Sequence, residues 1–521
     1  MPIALKEIIV VLALSIPLFA VAKPTALLFT AEADFALRRK VWLTLTIVAF
    51  LSPNFWLFAA IAAPVLYWAG KKDSNPVAFC LLLMNVIPPI SVAIPPILIN
   101  DLFSLDIFRL LSLCVLVPVA LRLRKSKDSK QIQGLKMTDL ALLGFGALYV
   151  ILYVPPDMAN HVITKNSLTN AVRDGSLFMV DFYTLYYVAS RTCTDRRKLL
   201  DALGTFCLAC SLLAIVAIFE STKHWLLYTG INGRWGGNSV LDEYYSRGSF
   251  LRAQAATGEP LSLGFLLVIA LGFWLYLQSH VKSTRTRIAV TILFCAGLLS
   301  TFSRGPWLAA VVIYFAYSAL DPRGISRVFK AAAVFLLLGT ALLASPIGDK
   351  ISGMIPFMGG TVDTDTLTYR ERLLDRSWEL IKERPILGDQ LALSKMEDLR
   401  QGQGIIDVVN AYVGVTLFYG FTGLAVFLTF ILTPLVRAYR KSRRICKTDL
   451  DSAFLGTSLA AAIVAMLLLL ADSSLGTAPE HLFYIVIGLT GAYAAVASPR
   501  QPVTAGQRSV EPGVTIDASP G

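Results

Sequence analysis

The chain has 521 residues, 55% of them hydrophobic and only 16% charged, with a formal net charge of +12 and a mean hydropathy of +0.63. That balance excludes a water-soluble domain of this length. The apolar residues come in continuous runs, which call for helices across a hydrocarbon core of about 30 Å, where a barrel would need alternating strands.

The expected fold class is an all-α polytopic integral membrane protein with about 12–15 transmembrane helices. In chain order the spans are expected at 7–30, 41–69 (with a break near Pro53), 77–99, 105–121, 138–154, 176–190 and 199–218. Further spans follow at 260–277, 288–302, 306–320, 331–345, 411–435, 452–471 and 482–498. Lys6, an apolar stretch and Ala20-Val21-Ala22 imitate a secretory signal, but so many later spans favour an uncleaved first helix. Four prolines between Pro88 and Pro96 break the third apolar run, which a bilayer tolerates only where neighbouring helices or a cavity satisfy the freed backbone groups.

Lysines and arginines gather in short loops: Arg122, Arg124, Lys125 and Lys127; Arg191, Arg196, Arg197 and Lys198; Lys282, Arg285 and Arg287; Arg437 to Lys447. These clusters read as cytoplasmic orientation signals, so no nucleic-acid partner is expected. Counting from them, polar loops at about 219–258 and 346–409 and the turn Ser303-Arg304-Gly305-Pro306 fall on the outer side. Residues 1–498 form the membrane domain, and the Pro-, Gly-, Ser- and Thr-rich stretch 499–521 reads as a disordered cytoplasmic tail.

The seven cysteines avoid the two long loops, so structural disulfides are not expected, and Cys207 and Cys210 read as small buried residues. The four histidines lack ligand spacing, so no metal is assigned, and no nucleotide-binding or serine-hydrolase signature is present.

Chemistry concentrates in the outer segments. Thr368-Tyr369-Arg370-Glu371 reads as a capping box, with Leu374, Trp378 and Ile381 forming the apolar face of an amphipathic helix lying over the membrane before Pro385 stops it. Its charges Arg370, Arg372, Asp375, Arg376 and Glu379 read mostly as ion pairs in water. Arg304 differs, because it sits at a Gly-Pro hairpin turn between two apolar arms; its alternatives are a snorkelling side chain and an anion ligand. Arg252, just before the 260–277 span, is comparable, and two guanidinium forks at the outer surface suit a diphosphate. Asp407, close before Asn410-Ala411-Tyr412, is either a base or a helix cap.

The ordered set of Arg252, Leu298 to Gly305, Tyr369-Arg370-Glu371-Arg372 through Trp378 to Glu383-Arg384-Pro385-Ile386-Leu387-Gly388, and Asn410-Ala411-Tyr412 with Tyr419-Gly420 and Gly423 resembles the O-antigen ligase and polysaccharide polymerase superfamily (Wzy-C type), over roughly residues 245–435. The resemblance implies a metal-independent, cofactor-free glycosyltransferase of the bacterial inner membrane, acting at the periplasmic face on glycans linked to undecaprenyl diphosphate. It implies that Arg252 and Arg304 hold the lipid diphosphate and that Arg370 and Arg372 line the site, with Glu371, Asn410 and Tyr412 toward substrate and Asp407 or Glu371 as base. Ligases of this kind carry a histidine immediately before the asparagine, where this chain has Val409, so the expectation is a polymerase of exopolysaccharide or O-antigen repeat units. Membrane lipid, a chain-length regulator and an export complex are the expected partners. A ligase is the first alternative; a lipid-linked sugar flippase and an inactive scaffold are the others.

Overall fold

The computed structural model describes residues 3–94, 103–125, 135–152, 166–236, 244–247, 250–321, 364–400, 406–473 and 477–495. It is an all-α polytopic membrane protein, and the strands among the described residues are two hairpins of two-residue strands. Ile3–Ala26, Arg196–Lys223, Pro260–His280, Ala411–Ile445 and Leu450–Asp472 are each long and apolar enough to cross a bilayer. The span expected at 331–345, His161, residues 346–363 of the second outer loop and the tail 499–521 lie outside the described residues.

Helices α1 (Ile3–Ala26), α2 (Glu32–Leu51) and α3 (Phe55–Lys72) open the chain. The break expected near Pro53 falls between α2 and α3, where Asn54 caps α3 by accepting from the Leu57 amide at 2.9 Å. Helix α4 (Pro76–Leu83) ends before the first of those prolines, Pro88, and the chain then pairs β1 (Val92–Ala93) with β2 (Ser104–Leu105). The third span is therefore broken as its prolines dictate, with residues 84–90 kept inside the protein.

Helices α5 (Ile107–Leu111) and α6 (Val117–Lys125), joined by a π-turn, lead to α7 (Lys136–Ile151), α8 (Asn166–Phe178) and, after a second π-turn, α9 (Thr184–Thr192). Helix α10 (Arg196–Lys223) is largely enclosed by its neighbours. Arg38 on α2, 2% exposed, ties this half together: Nε and Nη2 donate to Asp73 at 2.7 and 2.8 Å, while Nη1 and Nη2 donate to Asp201 on α10 at 2.7 and 3.0 Å. A guanidinium forked onto two carboxylates is the arrangement that makes such deep burial of charge tolerable.

After the short helix α11 (Thr229–Trp235) and the hairpin β3 (Ser246–Arg247) with β4 (Phe250–Leu251), the chain runs through α12 (Pro260–Leu277), α13 (Thr284–Ser300) and α14 (Arg304–Ala319). Next come α15 (Thr364–Glu383), α16 (Ala411–Ile445), α17 (Leu450–Asp472) and α18 (Thr477–Ala495).

Side-chain pairs sort the helix ends into two groups. At one end, Arg196 and His280 meet Asp451, Arg443 Nη1 donates to the Asp321 carbonyl at 3.3 Å, and Lys441 Nζ donates to the Tyr493 carbonyl at 2.6 Å. At the other end lie Arg252, Arg304, Arg370, Ala411 and Asp472. The lysine- and arginine-rich loops thus share the end opposite the residues singled out for chemistry.

Candidate functional site

Arg252 and Arg304 meet through the turn that joins α13 to α14. Thr301 Oγ1 donates to the Leu298 carbonyl at 2.8 Å, and Phe302 takes a left-handed φ of 47°, so the chain reverses in three residues. Arg252 grips that turn: Nε donates to the Thr301 carbonyl at 3.2 Å and Nη2 to Ser303 Oγ at 2.9 Å, while the Ala253 amide donates to the Ser300 carbonyl at 2.9 Å. Phe250 stacks on Phe302 with ring centroids 5.0 Å apart. Arg304 follows directly as the first residue of α14, half-buried, and its Nε is enclosed without a hydrogen-bond partner. The positive end of the α14 dipole adds to its charge.

A third cation arrives from α15. Arg370 Nη1 donates to Asp472 Oδ1 at 2.6 Å, and Arg370 Nε is likewise enclosed and unpartnered. Asp472 closes α17, and its Oδ2 lies so close over Gly305 that any side chain there would strike it. The carboxylate therefore rests against the N-terminus of α14 at Gly305 while ion-paired with Arg370, a place where backbone dipole and cation both favour an oxyanion.

Tyr369, beside Arg370, ties in the segment before α16: its hydroxyl donates to the Asp407 carbonyl and accepts from the Asp407 amide, both at 3.1 Å. The helix cap is Asn410, not Asp407, since Asn410 Oδ1 accepts from the Tyr412 and Val413 amides at 3.0 and 3.1 Å. Tyr412 Oη donates to the Leu467 carbonyl at 2.7 Å, joining α16 to α17, and the Ala411 amide donates to the Ser473 carbonyl at 3.1 Å. Val409, immediately before Asn410, packs against the apolar cluster of Leu373, Leu380, Ile381 and Met396.

Helix α16 is broken at Gly420, whose φ of 65° and ψ of −171° leave the helical region. The freed backbone groups are taken up by the segment after α15: the Phe421 and Thr422 amides donate to the Pro385 and Ile386 carbonyls at 2.8 and 3.2 Å, and the Asp389 amide donates to the Leu417 carbonyl at 2.8 Å. Gly388, at φ 69°, and Gly420 face backbone so closely that neither has room for a Cβ. The motif ending in Pro385-Ile386-Leu387-Gly388 and the pair Tyr419-Gly420 are two halves of one backbone joint that anchors α15 to the bundle.

The structure thus brings together Arg252, Arg304, Arg370 and Asp472, with Asp407 attached through Tyr369. It does not bring Arg372 or Glu371 to this cluster: both are exposed, and a two-residue step turns Arg372 about 200° away from Arg370 on the helix. Asn410 commits its Oδ1 to capping, and Tyr412 its hydroxyl to helix pairing. The capping box expected at Thr368 is also displaced, because α15 begins four residues earlier. Its inner face is Leu373, Leu380 and Ile381, while Leu374 and Trp378 are exposed. Arg376 with Glu379, at 2.8 Å, is the ordinary solvent ion pair expected of that helix. Cys207 and Cys210 are buried thiols facing the Ala270 and Leu266 carbonyls. Among the described residues no three His, Cys, Asp or Glu side chains gather as ion ligands.

Asp472 escaped the reading of the sequence, where it is a single acid ending an apolar run. Its pairing with Arg370 and its approach to Gly305 appear only in the folded bundle. Compared with known protein families, residues 289–428 match the family model described as O-antigen ligase (Wzy_C), which supports the O-antigen ligase and polymerase superfamily. That interval begins in α13 and ends in α16, and so contains Arg304, Arg370, Asp407 and both halves of the backbone joint. No curated protein matches the chain.

Proposed function

From the match of residues 289–428 to the O-antigen ligase family, we propose that this membrane protein is a glycosyltransferase that polymerises undecaprenyl-diphosphate-linked repeat units into exopolysaccharide or O-antigen. The observation that carries the proposal is the convergence of Arg252, Arg304 and Arg370 at one end of the bundle, with two guanidinium Nε donors enclosed and unpartnered.

In the reaction, the acceptor hydroxyl oxygen bonds to the anomeric carbon of the lipid-linked glycan while that carbon's bond to the diphosphate oxygen breaks. Negative charge grows on the departing diphosphate, and fixed cations stabilise it there more than in the ground state. Arg252 and Arg304 hold the diphosphate, and Arg370 completes the clamp. The proton from the acceptor goes to a carboxylate at the cluster, Asp472 or Asp407. The site works without a metal, the diphosphate charge being met by arginines alone.

The basic helix ends lie opposite the cluster, which supports a cytoplasmic placement for them and a periplasmic one for the site in a bacterial inner membrane. The family description itself names a ligase, which keeps glycan transfer to a lipid or protein acceptor as the second reading. Val409, packed into an apolar cluster, favours the polymerase, because it leaves no imidazole for the acceptor. The test is purified protein in vesicles with a lipid-linked repeat unit. Lengthened glycan and released undecaprenyl diphosphate support polymerisation. Glycan moved across the bilayer without growth would establish a flippase instead.

A further inference from the structure

Glu220 lies in the last turn of α10, fully buried, away from the cluster of arginines yet bonded to the segment that carries one of them. Its Oε1 accepts from the Leu227 amide at 3.0 Å, and its Oε2 accepts from the Gln254 and Ala255 amides at 3.0 and 2.8 Å. Ala255 takes a left-handed φ of 47°, which a residue with a Cβ adopts only under outside constraint. Two residues earlier the Ala253 amide is fixed to the end of α13 by the Ser300 carbonyl, and the Arg252 amide donates to the Tyr245 carbonyl at 2.9 Å. Residues 252–255 are therefore held from two sides, by α13 and by Glu220.

We propose that Glu220 is a positioning residue that fixes the backbone of residues 253–255 so that Arg252 reaches Ser303 and the diphosphate site. The chemistry requires a carboxylate. Three backbone N–H groups converge on one fully buried side chain, and only a group with acceptors on both oxygens satisfies them all. A glutamine of the same shape would set an NH2 group against at least one of those amides and leave a buried donor unmet. Asp in its place keeps the acceptors but withdraws them by one methylene. Acting through Arg252, Glu220 governs transition-state stabilisation without touching substrate. This inference rests on the glycosyltransferase reading only for its catalytic consequence.

The experiment compares wild type, Glu220→Gln, Glu220→Asp, Arg252→Ala and the double variant Glu220→Gln/Arg252→Ala, purified in lipid nanodiscs. Hydrogen exchange across 250–258 needs no substrate, and both Glu220 variants are expected to exchange faster there while α12 is unchanged. With a lipid-linked repeat unit, Glu220→Gln is expected to lower kcat about tenfold or more with little change in KM, and to change activity less than about twofold once Arg252 is already Ala. Unchanged exchange at 250–258 overturns the proposal, as does an effect of Glu220→Gln that persists in the Arg252→Ala background. Loss of the folded protein in both Glu220 variants would also overturn it, in favour of a role in the fold alone. A wild type without glycosyl transfer but with the expected exchange would remove the enzymatic reading and leave the positioning of Arg252 standing.

Discussion

Arg370 on α15 and Asp472 at the end of α17 lie 102 residues apart in sequence and 2.6 Å apart in space, and the carboxylate that joins them rests on Gly305 beside Arg304. One acid thus links the amphipathic outer helix to the turn held by Arg252. It occupies the place at the α14 N-terminus that an incoming phosphate oxygen would also seek.

Replacing Asp472 by Asn is expected to lower kcat about 100-fold, through loss of a proton acceptor. Arg370→Ala is expected to lower kcat/KM, because a transition-state cation is lost while the fold remains. Steady-state kinetics on equal amounts of folded protein checks both, and an Asp472→Asn enzyme with wild-type kcat would give the proton to Asp407.

Gly420→Ala is expected to destabilise the protein by about 2 kcal/mol, since a Cβ at positive φ is strained and would strike the Ile386 backbone. Gly414 on the same helix is the control: a Cβ there would meet Val408 at an ordinary 3.7 Å, so Gly414→Ala should leave Tm nearly unchanged. Thermal unfolding in one detergent measures the difference.

Arg38→Met should cost about 3–5 kcal/mol, because it leaves Asp73 and Asp201 buried without their counter-charge. Adding Asp73→Asn and Asp201→Asn to that variant should recover part of the loss. Chemical denaturation of the three proteins decides it.

Acid should loosen the segment after α15 before it loosens the bundle. Burial pulls the Asp389 carboxyl up, but the Lys395 ammonium at 2.8 Å and the Leu391 amide outweigh it, so its folded pKa lies below the usual value. A depressed carboxyl contributes stability above its unfolded pKa of about 3.9, and that contribution disappears as pH falls through the lower folded value. Hydrogen exchange of residues 384–400 is expected to rise below about pH 4, and Asp389→Asn should abolish that acid step.

Apolar runs and proline placement made most helices legible in the sequence, because a span must bury some twenty apolar residues in succession. Arg252 and Arg304 stood out in the sequence as candidates for the converse reason: each is an isolated guanidinium beside an apolar arm. The partners were not legible. Asp472 looks like any acid ending a helix, and its pairing with Arg370 depends on how α15 docks. That docking in turn depends on the joint between Gly388 and Gly420, two motifs visible separately but with nothing in either to show that they touch. On α15 the apolar rows through Leu373 and through Leu374 both fit a helical period, so periodicity could not say which faces inward. The fold resolves it by setting Leu373, Leu380 and Ile381 against Met396 and Leu417.

The three arginines at the end of the bundle opposite its basic loops are proposed as a diphosphate clamp. Its most direct test is the binding of undecaprenyl diphosphate to the purified protein, read as a shift in Tm with ligand concentration. The expected result is a concentration-dependent rise in wild type that is lost in Arg304→Ala and reduced in Arg370→Ala, with little response to undecaprenol. An equal rise in all three proteins, or an equal rise with undecaprenol, would contradict the account.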